Sequence, residues 1–393
     1  MRILIANDGF GDAGGVQSYL DRVAAGLVAR GHAVAILHRD AKPAPFAAPE
    51  TYALDQFSIA GEGIDRALER VAAWAPDVCF SHNMDHLAVD ERLAARWRVV
   101  KFMHGYLGTC IGGQKHFGFP IARPCDRVFG APCVALYAPR HCGQLSVGAF
   151  VDQYRWAHAQ RALFHRYHAV VVASHHMQRE YVRNGVDASR VHVNALFPTH
   201  DQPPSAEAPS ASAAARVVFL GRMTVLKGGD MLIRAAARAA AALGRAITLI
   251  MVGDGPQRAA WERLAAELRV PATFTGWVHG DERWEWMRAA RVLALPSTWP
   301  EPFGLVGLEA AALGVPAVAF DVGGVREWLR PGENGHLARA DPPTAERFAD
   351  ALIAAFSRPD ELAAMRQRAV AIAREMSLGR HLDRLEEIFR SKN

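Results

Sequence analysis

Apolar residues along this chain come in short runs rather than long stripes. Residues 2–6, 33–37, 78–81, 99–103 and 169–173 are each short enough to be a buried strand. Between several of them the apolar positions switch to a spacing of three and four, as at 16–30 and 63–74, which predicts amphipathic helices. Strands and helices alternating in this way predict a parallel sheet covered by helices on both faces.

The pattern breaks once. "PTHDQPPSAEAPSASAAA", residues 198–215, is rich in Pro, Ser and Ala and reads as a linker. After it the alternation restarts. Strands are predicted at 217–220, 247–252, 272–275, 292–295 and 315–320, and helices at 231–243 and 256–268. The expected architecture is α/β, with two Rossmann-like, doubly wound domains facing each other across a cleft. The first covers 1–200, the joint 201–215 and the second 216–375. A closing helix over 376–393 is expected to pack back toward the first domain. Open parallel sheets bind ligands at the carboxyl ends of their strands, so two facing sheets place those ends around one cleft.

Composition narrows the class. Apolar residues make up 50% and charged residues 22% of the 393 positions, as in globular proteins. No apolar run approaches the roughly 18 residues a membrane span needs. A strand that begins at Arg2 resembles no signal peptide, and the expected compartment is the cytoplasm. The net charge of +5 suits an anionic ligand or an anionic membrane surface. No dense Lys/Arg tract points to nucleic acid.

The first candidate chemistry follows the first strand. Gly9, Gly11 and Gly14 are spaced G-x-G-x-x-G, the fingerprint of a dinucleotide turn and hence of an NAD-dependent oxidoreductase. Asn7 and Asp8 intervene between strand and turn, however, and Asp12 sits inside it. Carboxylates beside a pyrophosphate repel it. A second reading keeps Gly14 and Gly15 alone, opening an amphipathic helix whose bare N–H groups would face an anion.

The second domain carries sharper signals. "GRMTVLKGGD", residues 221–230, follows a predicted strand, with Arg222 and Lys227 flanking a turn into a helix. Two cations and a helix start suit a diphosphate that no metal neutralises. "PSTWPEPFGLVGLEAAALGVP", residues 296–316, places Glu301 in a loop and Glu309 inside the helix predicted at 303–313. Eight residues of helix span at most about 12 Å, so the two carboxylates could grip opposite ends of a long polar ligand. The helix start leaves the N–H groups of Phe303, Gly304 and Leu305 free. The same two carboxylates could instead form a hydrolase acid/base pair.

These motifs resemble a family. E-P-F-G-L-V-x-L-E, the upstream G-R-x-x-x-x-K-G, "VGDGP" at 252–256, "TGWV" at 275–278, "GGVREWLRPGENG" at 323–335 and "GG" at 14–15 resemble the retaining glycosyltransferases of the family-4 type. The resemblance implies the two-Rossmann GT-B fold and transfer of a sugar from a nucleotide-diphosphate donor to a glycan or lipid-linked hydroxyl, with no cofactor. It implies that Arg222 and Lys227 hold the diphosphate and that Glu309 bonds the ribose. Glu301 would bond the donor sugar, beside the N–H groups of Phe303, Gly304 and Leu305. Gly15 would reach the phosphate from the first domain, and His104 would be the cleft histidine near the donor sugar. A different class, a catalytically silent nucleotide-sugar binding protein, would share every one of these binding residues.

One segment departs from the family outline. Cys110, Cys125, Cys133 and Cys142, four of five cysteines, fall in an insertion near 105–150. With no C-x-x-C pair, a structural metal site, disulfides and free thiols all remain open. The insertion is expected on the acceptor side of the cleft. Its aromatics Tyr106, Phe117, Phe119 and Phe129 either meet an anionic membrane or pack the segment itself.

Overall fold

The computed structural model describes residues 1–9, 15–40, 54–84, 86–201, 204, 215–278 and 280–391. Two parallel sheets form two lobes. The first is seven-stranded: β1 (Arg2–Ala6), β2 (Ala33–His38), β3 (Asp55–Ser58), β4 (Val78–Ser81), β5 (Val99–Met103), β8 (Ala169–Val172) and β9 (Val191–Val193), in the order β3-β2-β1-β4-β5-β8-β9. The second has six strands: β10 (Ala215–Leu220), β11 (Ile247–Val252), β12 (Ala272–Gly276), β13 (Val292–Leu295), β14 (Ala317–Phe320) and β15 (Gly335–Ala338), in the order β12-β11-β10-β13-β14-β15. A hairpin of β6 (His116–Phe117) and β7 (Arg123–Pro124) stands apart.

The order shows where ligands belong. In each sheet the winding reverses beside the first strand, between β1 and β4 and between β10 and β13. A crevice opens at such reversals, outside the carboxyl ends of the strands. The loops leaving β1, β4 and β5 therefore line one wall of a cleft, and those leaving β10, β13 and β14 line the other.

The central strands are legible as apolar runs because both faces of a parallel sheet are covered. Val78, Cys79 and Phe80 of β4 are fully buried, as are Ile3, Leu4 and Ile5 of β1. The edge strand β3 is "DQFS", with only Phe57 buried, and carries no such run. Two predicted elements are trimmed by backbone chemistry. The helix expected at 303–313 spans Leu305–Ala312, because Gly304 has φ +81°, outside the right-handed helical region. The strand expected from residue 315 begins at Ala317, after Pro316.

A last helix, Leu378–Arg390, lies against Gly15–Ala29 of the first lobe. Gly26 permits the contact, since a Cβ there would stand 2.6 Å from Leu382. Arg30 bonds Asp383 at 2.7 Å and Glu386 at 3.1 Å, and Phe389 meets Phe80.

The segment after β5 builds a small core of its own from Ile111, Phe129, Tyr137 and Ala157, with Cys133 and Cys142 against it. Tyr106, Phe117 and Phe129 are buried, so three of the four aromatics considered for membrane contact pack inside the protein; Phe119 is 53% exposed.

Candidate active site

The turn after β10 and the loop after β13 build the donor-side wall. Arg222 is exposed, and its guanidinium has no hydrogen-bond partner among the described residues. Lys227 closes the turn. Gly228, at φ +63°, lets the next helix start against the carbonyl of Pro296, which a Cβ would meet at 2.0 Å. Lys227 Nζ donates to Glu301 Oε1 at 2.7 Å and lies 5.3 Å over the Trp299 ring.

Glu301 is buried and held by more than the lysine. Ser297 Oγ donates to the same Oε1 at 2.5 Å, and Trp299 Nε1 donates at 3.0 Å. Three donors on one oxygen fix the carboxylate's direction. Its backbone is clamped by the turn after β14. Gly324 N–H donates to Glu301 O at 2.7 Å, and a Cβ on Gly323 would stand 2.1 Å from that oxygen.

Immediately beyond, Phe303, Gly304 and Leu305 point N–H groups that no described residue accepts, at the start of a helix with no side-chain cap. A helix start in this condition attracts anions through its exposed N–H groups and its dipole. The buried Trp328 fixes it: Nε1 donates to Phe303 O at 2.7 Å, and the indole occupies the space above Gly307. Across the cleft Gly15 opens its own helix. A Cβ there would be 4.0 Å from the Leu305 side chain, so two helix starts from different lobes face one gap.

Glu309 lies in the second half of the same helix, buried, and burial raises its pKa. Thr199 Oγ1 donates to Glu309 Oε1 at 2.5 Å, and His200 Nε2 lies 3.2 Å from the Glu309 carbonyl. Glu301 and Glu309 thus have separate partners and do not form a pair.

His104 follows β5. Burial pushes its pKa down to about 3, with Lys101 adding to the fall, so the ring is neutral. Its Nε2 lies 3.0 Å from His82 Nδ1, one nitrogen donating and the other accepting. His82 is itself buried and held neutral by burial. Behind them Lys101 meets Asp90 at 2.6 Å, both buried, with Ser81 and Tyr167 also bonding that carboxylate. Tyr19, edge-on to His104, bonds His381 of the last helix at 2.8 Å.

Two further readings from the sequence bear on this region. Gly9 is described, but Gly11 and Gly14 lie outside the described residues. Cys110, Cys125, Cys133 and Cys142 all carry free thiols. Among the described residues no three His, Cys, Asp or Glu side chains are grouped to hold a metal ion, so the four cysteines are not gathered as ligands. Burial instead raises the thiols of Cys125 to about 11 and Cys142 to about 12. Sequence reasoning missed Ser297, Trp299 and Trp328; the first two stand inside the quoted motif, four and two residues before Glu301.

Two facing Rossmann-like lobes, with cations, bare helix starts and an oriented carboxylate on one wall, define a glycosyltransferase of the GT-B class. A family model described as Glycosyltransferase Family 4 matches residues 13–194, and one described as Glycosyl transferases group 1 matches 214–358. The D-inositol 3-phosphate glycosyltransferase of Nocardia farcinica is 30% identical over 398 residues, covering 94% of this chain and 83% of that one. The phosphatidyl-myo-inositol mannosyltransferase of Mycobacterium tuberculosis is 36% identical over 143 residues, 35% of this chain and 37% of that one. Among solved structures, Anabaena HepE in complex with UDP has TM-score 0.72 at 20% identity, covering 98% of this chain and 99% of that one. Sucrose-phosphate synthase from Thermosynechococcus elongatus has TM-score 0.70 at 20% identity, covering 99% and 98%. The chain belongs to the family-4 glycosyltransferases.

Proposed function

We propose that the protein is a retaining hexosyltransferase that moves a sugar from a nucleotide-diphosphate sugar to a hydroxyl of a glycan or lipid-linked acceptor. The observation that carries this reading is the Lys227–Glu301 pair beside the helix start and Arg222, neither of which has a partner among the described residues. One small volume then offers positive charge for a diphosphate and a fixed carboxylate for sugar hydroxyls.

In this reading Arg222, Lys227 and the N–H groups of Phe303, Gly304 and Leu305 hold the diphosphate, with Gly15 opposite. Glu309 bonds the ribose in the place Thr199 now takes, and Glu301 bonds the sugar. The bond from the sugar's anomeric carbon to the diphosphate oxygen breaks as the bond to the acceptor oxygen forms on the same face. The acceptor proton passes to the departing phosphate oxygen. Charge gathering on the diphosphate is stabilised by groups already in place. His104, neutral and held by His82, offers a hydrogen bond near the sugar.

HepE is named with bound UDP and, in another structure, with UDP-glucose. The relatives' names put inositol phosphate and phosphatidylinositol first among acceptors to try. No helix is long and apolar enough to cross a membrane, among the described residues. We place the reaction in the cytoplasm, at the membrane face when the acceptor is lipid-linked. Phe119, Ile121, Leu145 and Val147 are exposed, as are Arg123 and Arg127, and would be the residues to meet the membrane there.

The test is the stereochemistry of the product. Proton NMR on a reaction with an α-linked sugar donor should show an α-linked product. A β-linked product would contradict the retaining assignment. Binding of nucleotide sugars with no transfer to any acceptor class would favour the silent binding protein.

A further inference from the structure

The insertion was expected on the acceptor side, yet it touches the donor wall. His116 is buried at the start of β6, and its Nε2 lies 3.3 Å from Thr298 Oγ1. Thr298 stands three residues before Glu301. Its N–H donates to Leu226 O at 2.9 Å, in the turn that ends at Lys227. Its hydroxyl is also 3.5 Å from the carbonyls of Val225 and Leu226. The next residue, Trp299, donates to Glu301 and meets the ring of Tyr106 edge-on at 6.4 Å. Two side chains of the first lobe thus abut two consecutive residues of the loop that presents Glu301.

The histidine is braced from behind. Lys115, its neighbour, is buried and paired with the buried Glu180 at 2.8 Å, and its ammonium also donates to the carbonyl of Arg127. Lys115 O accepts from Cys125 N–H at 2.7 Å. Arg123 and Arg140 flank Phe117. A side chain anchored in this way imposes its position on a partner loop rather than following it.

We propose that His116 is a positioning residue for the donor sugar: through Thr298 it fixes the loop that presents Glu301, so the inserted segment of the first lobe takes part in selecting the donor. This rests on the reading that Glu301 bonds the donor sugar. Arg222 and the N–H groups of Phe303 to Leu305 lie outside the His116–Thr298 contact, and the turn that ends at Lys227 keeps the backbone bond from Thr298 N–H to Leu226 O, which no side-chain variant removes. Loosening the loop therefore weakens the sugar's hold and leaves that of the diphosphate. The ring acts as a neutral hydrogen-bonding group, since burial lowers its pKa to about 4.

The experiment is calorimetric titration of the full chain with UDP-glucose, UDP-N-acetylglucosamine, GDP-mannose and ADP-glucose, each beside its free diphosphate. The proteins are wild type, His116→Phe, Thr298→Val, their double variant and His116→Gln. With the donor that wild type binds, both single variants should weaken the nucleotide sugar about tenfold and leave the free diphosphate within about twofold. The double variant should be no weaker than the weaker single one, because both remove the same contact. His116→Gln, whose amide nitrogen reaches the place of Nε2, should restore most of the affinity. Thr298→Val replaces a hydroxyl by a methyl and tests the same contact if His116→Phe fails to fold. Equal weakening of sugar nucleotide and diphosphate, additive losses, or unchanged affinity in the single variants would overturn the inference. Wild type that binds none of the four donors would overturn the donor reading itself.

Discussion

Arg222 and Lys227 differ in what they do before any ligand arrives. Lys227 is already committed to Glu301, whereas Arg222 has no partner among the described residues. Both would face a diphosphate, so Arg222→Ala and Lys227→Ala should each cut kcat/KM for a nucleotide-sugar donor by at least about tenfold, the loss expected for transition-state charge stabilisation. They should separate in stability. Lys227→Ala leaves a buried carboxylate short of its cation and should lower the melting temperature, while Arg222→Ala should leave it unchanged. Steady-state kinetics and thermal melts of the two variants check this, and unchanged kinetics in both would remove the diphosphate assignment. With these charges supplied by the chain, and no D-x-D-like acidic pair to carry a donor metal, we expect activity to survive EDTA. Complete loss restored by manganese or magnesium would refute that expectation. Partial loss restored by zinc alone would point back to the four cysteines.

The helix Leu305–Ala312 is the element on which the donor wall depends, and Trp328 is what seats it. A Cβ on Gly307 would lie 2.0 Å from that indole. Gly307→Ala should therefore push the helix start away from Phe303, costing about 1–3 kcal/mol as overpacked cores do. Urea unfolding and nucleoside-diphosphate affinity should fall together; an unchanged pair would mean that the indole moves aside freely. This element also shows what the sequence could and could not tell. Arg222, Lys227, Glu301 and Glu309 were legible because each sits in a short local motif, the first three between a strand and a helix and Glu309 inside the helix that follows. Their partners were not. Thr199 stands 110 residues from Glu309, His116 stands 182 from Thr298, and Tyr19 stands 362 from His381. His82, which bonds His104, is 22 residues upstream and looks like any polar residue at a strand end. The strands follow the same logic. β1, β4 and β5 are buried on both faces and announce themselves as apolar runs, while β3 at the sheet edge keeps a half-polar sequence.

For the whole molecule, the seam between the first lobe and the elements packed on it is rich in neutral histidines. His104 is lowered to about 3, His116 to about 4 and His381 to about 4, each chiefly by burial. The unfolded chain would protonate all three near pH 6.5, and the folded chain resists until far lower pH. Stability from this source is complete above about pH 6.5 and is lost as the pH falls toward about 4. At pH 5 each ring costs up to about 2 kcal/mol relative to neutral pH. Melting temperatures should hold from pH 7.5 to about 6.5 and fall from there to pH 5, and a flat profile would show that these rings open to solvent. The same seam holds His175, whose N–H and ring both meet Glu327 of the second lobe at 2.7 and 3.0 Å. His116–Thr298 and Thr199–Glu309 also cross between the lobes. The lobes therefore meet through polar contacts beside the site itself.

The central claim is that the cleft wall built by Arg222, Lys227, Glu301 and Glu309 is a nucleotide-sugar site. Calorimetric titration of wild type and the Arg222→Ala/Lys227→Ala double variant with UDP-, GDP- and ADP-sugars tests it most directly. One nucleotide class should saturate wild type at a single site, and the double variant should lose at least about a hundredfold in affinity, or about 3 kcal/mol. Equal affinity in wild type and double variant, or no binding of any nucleotide sugar to wild type, would contradict it.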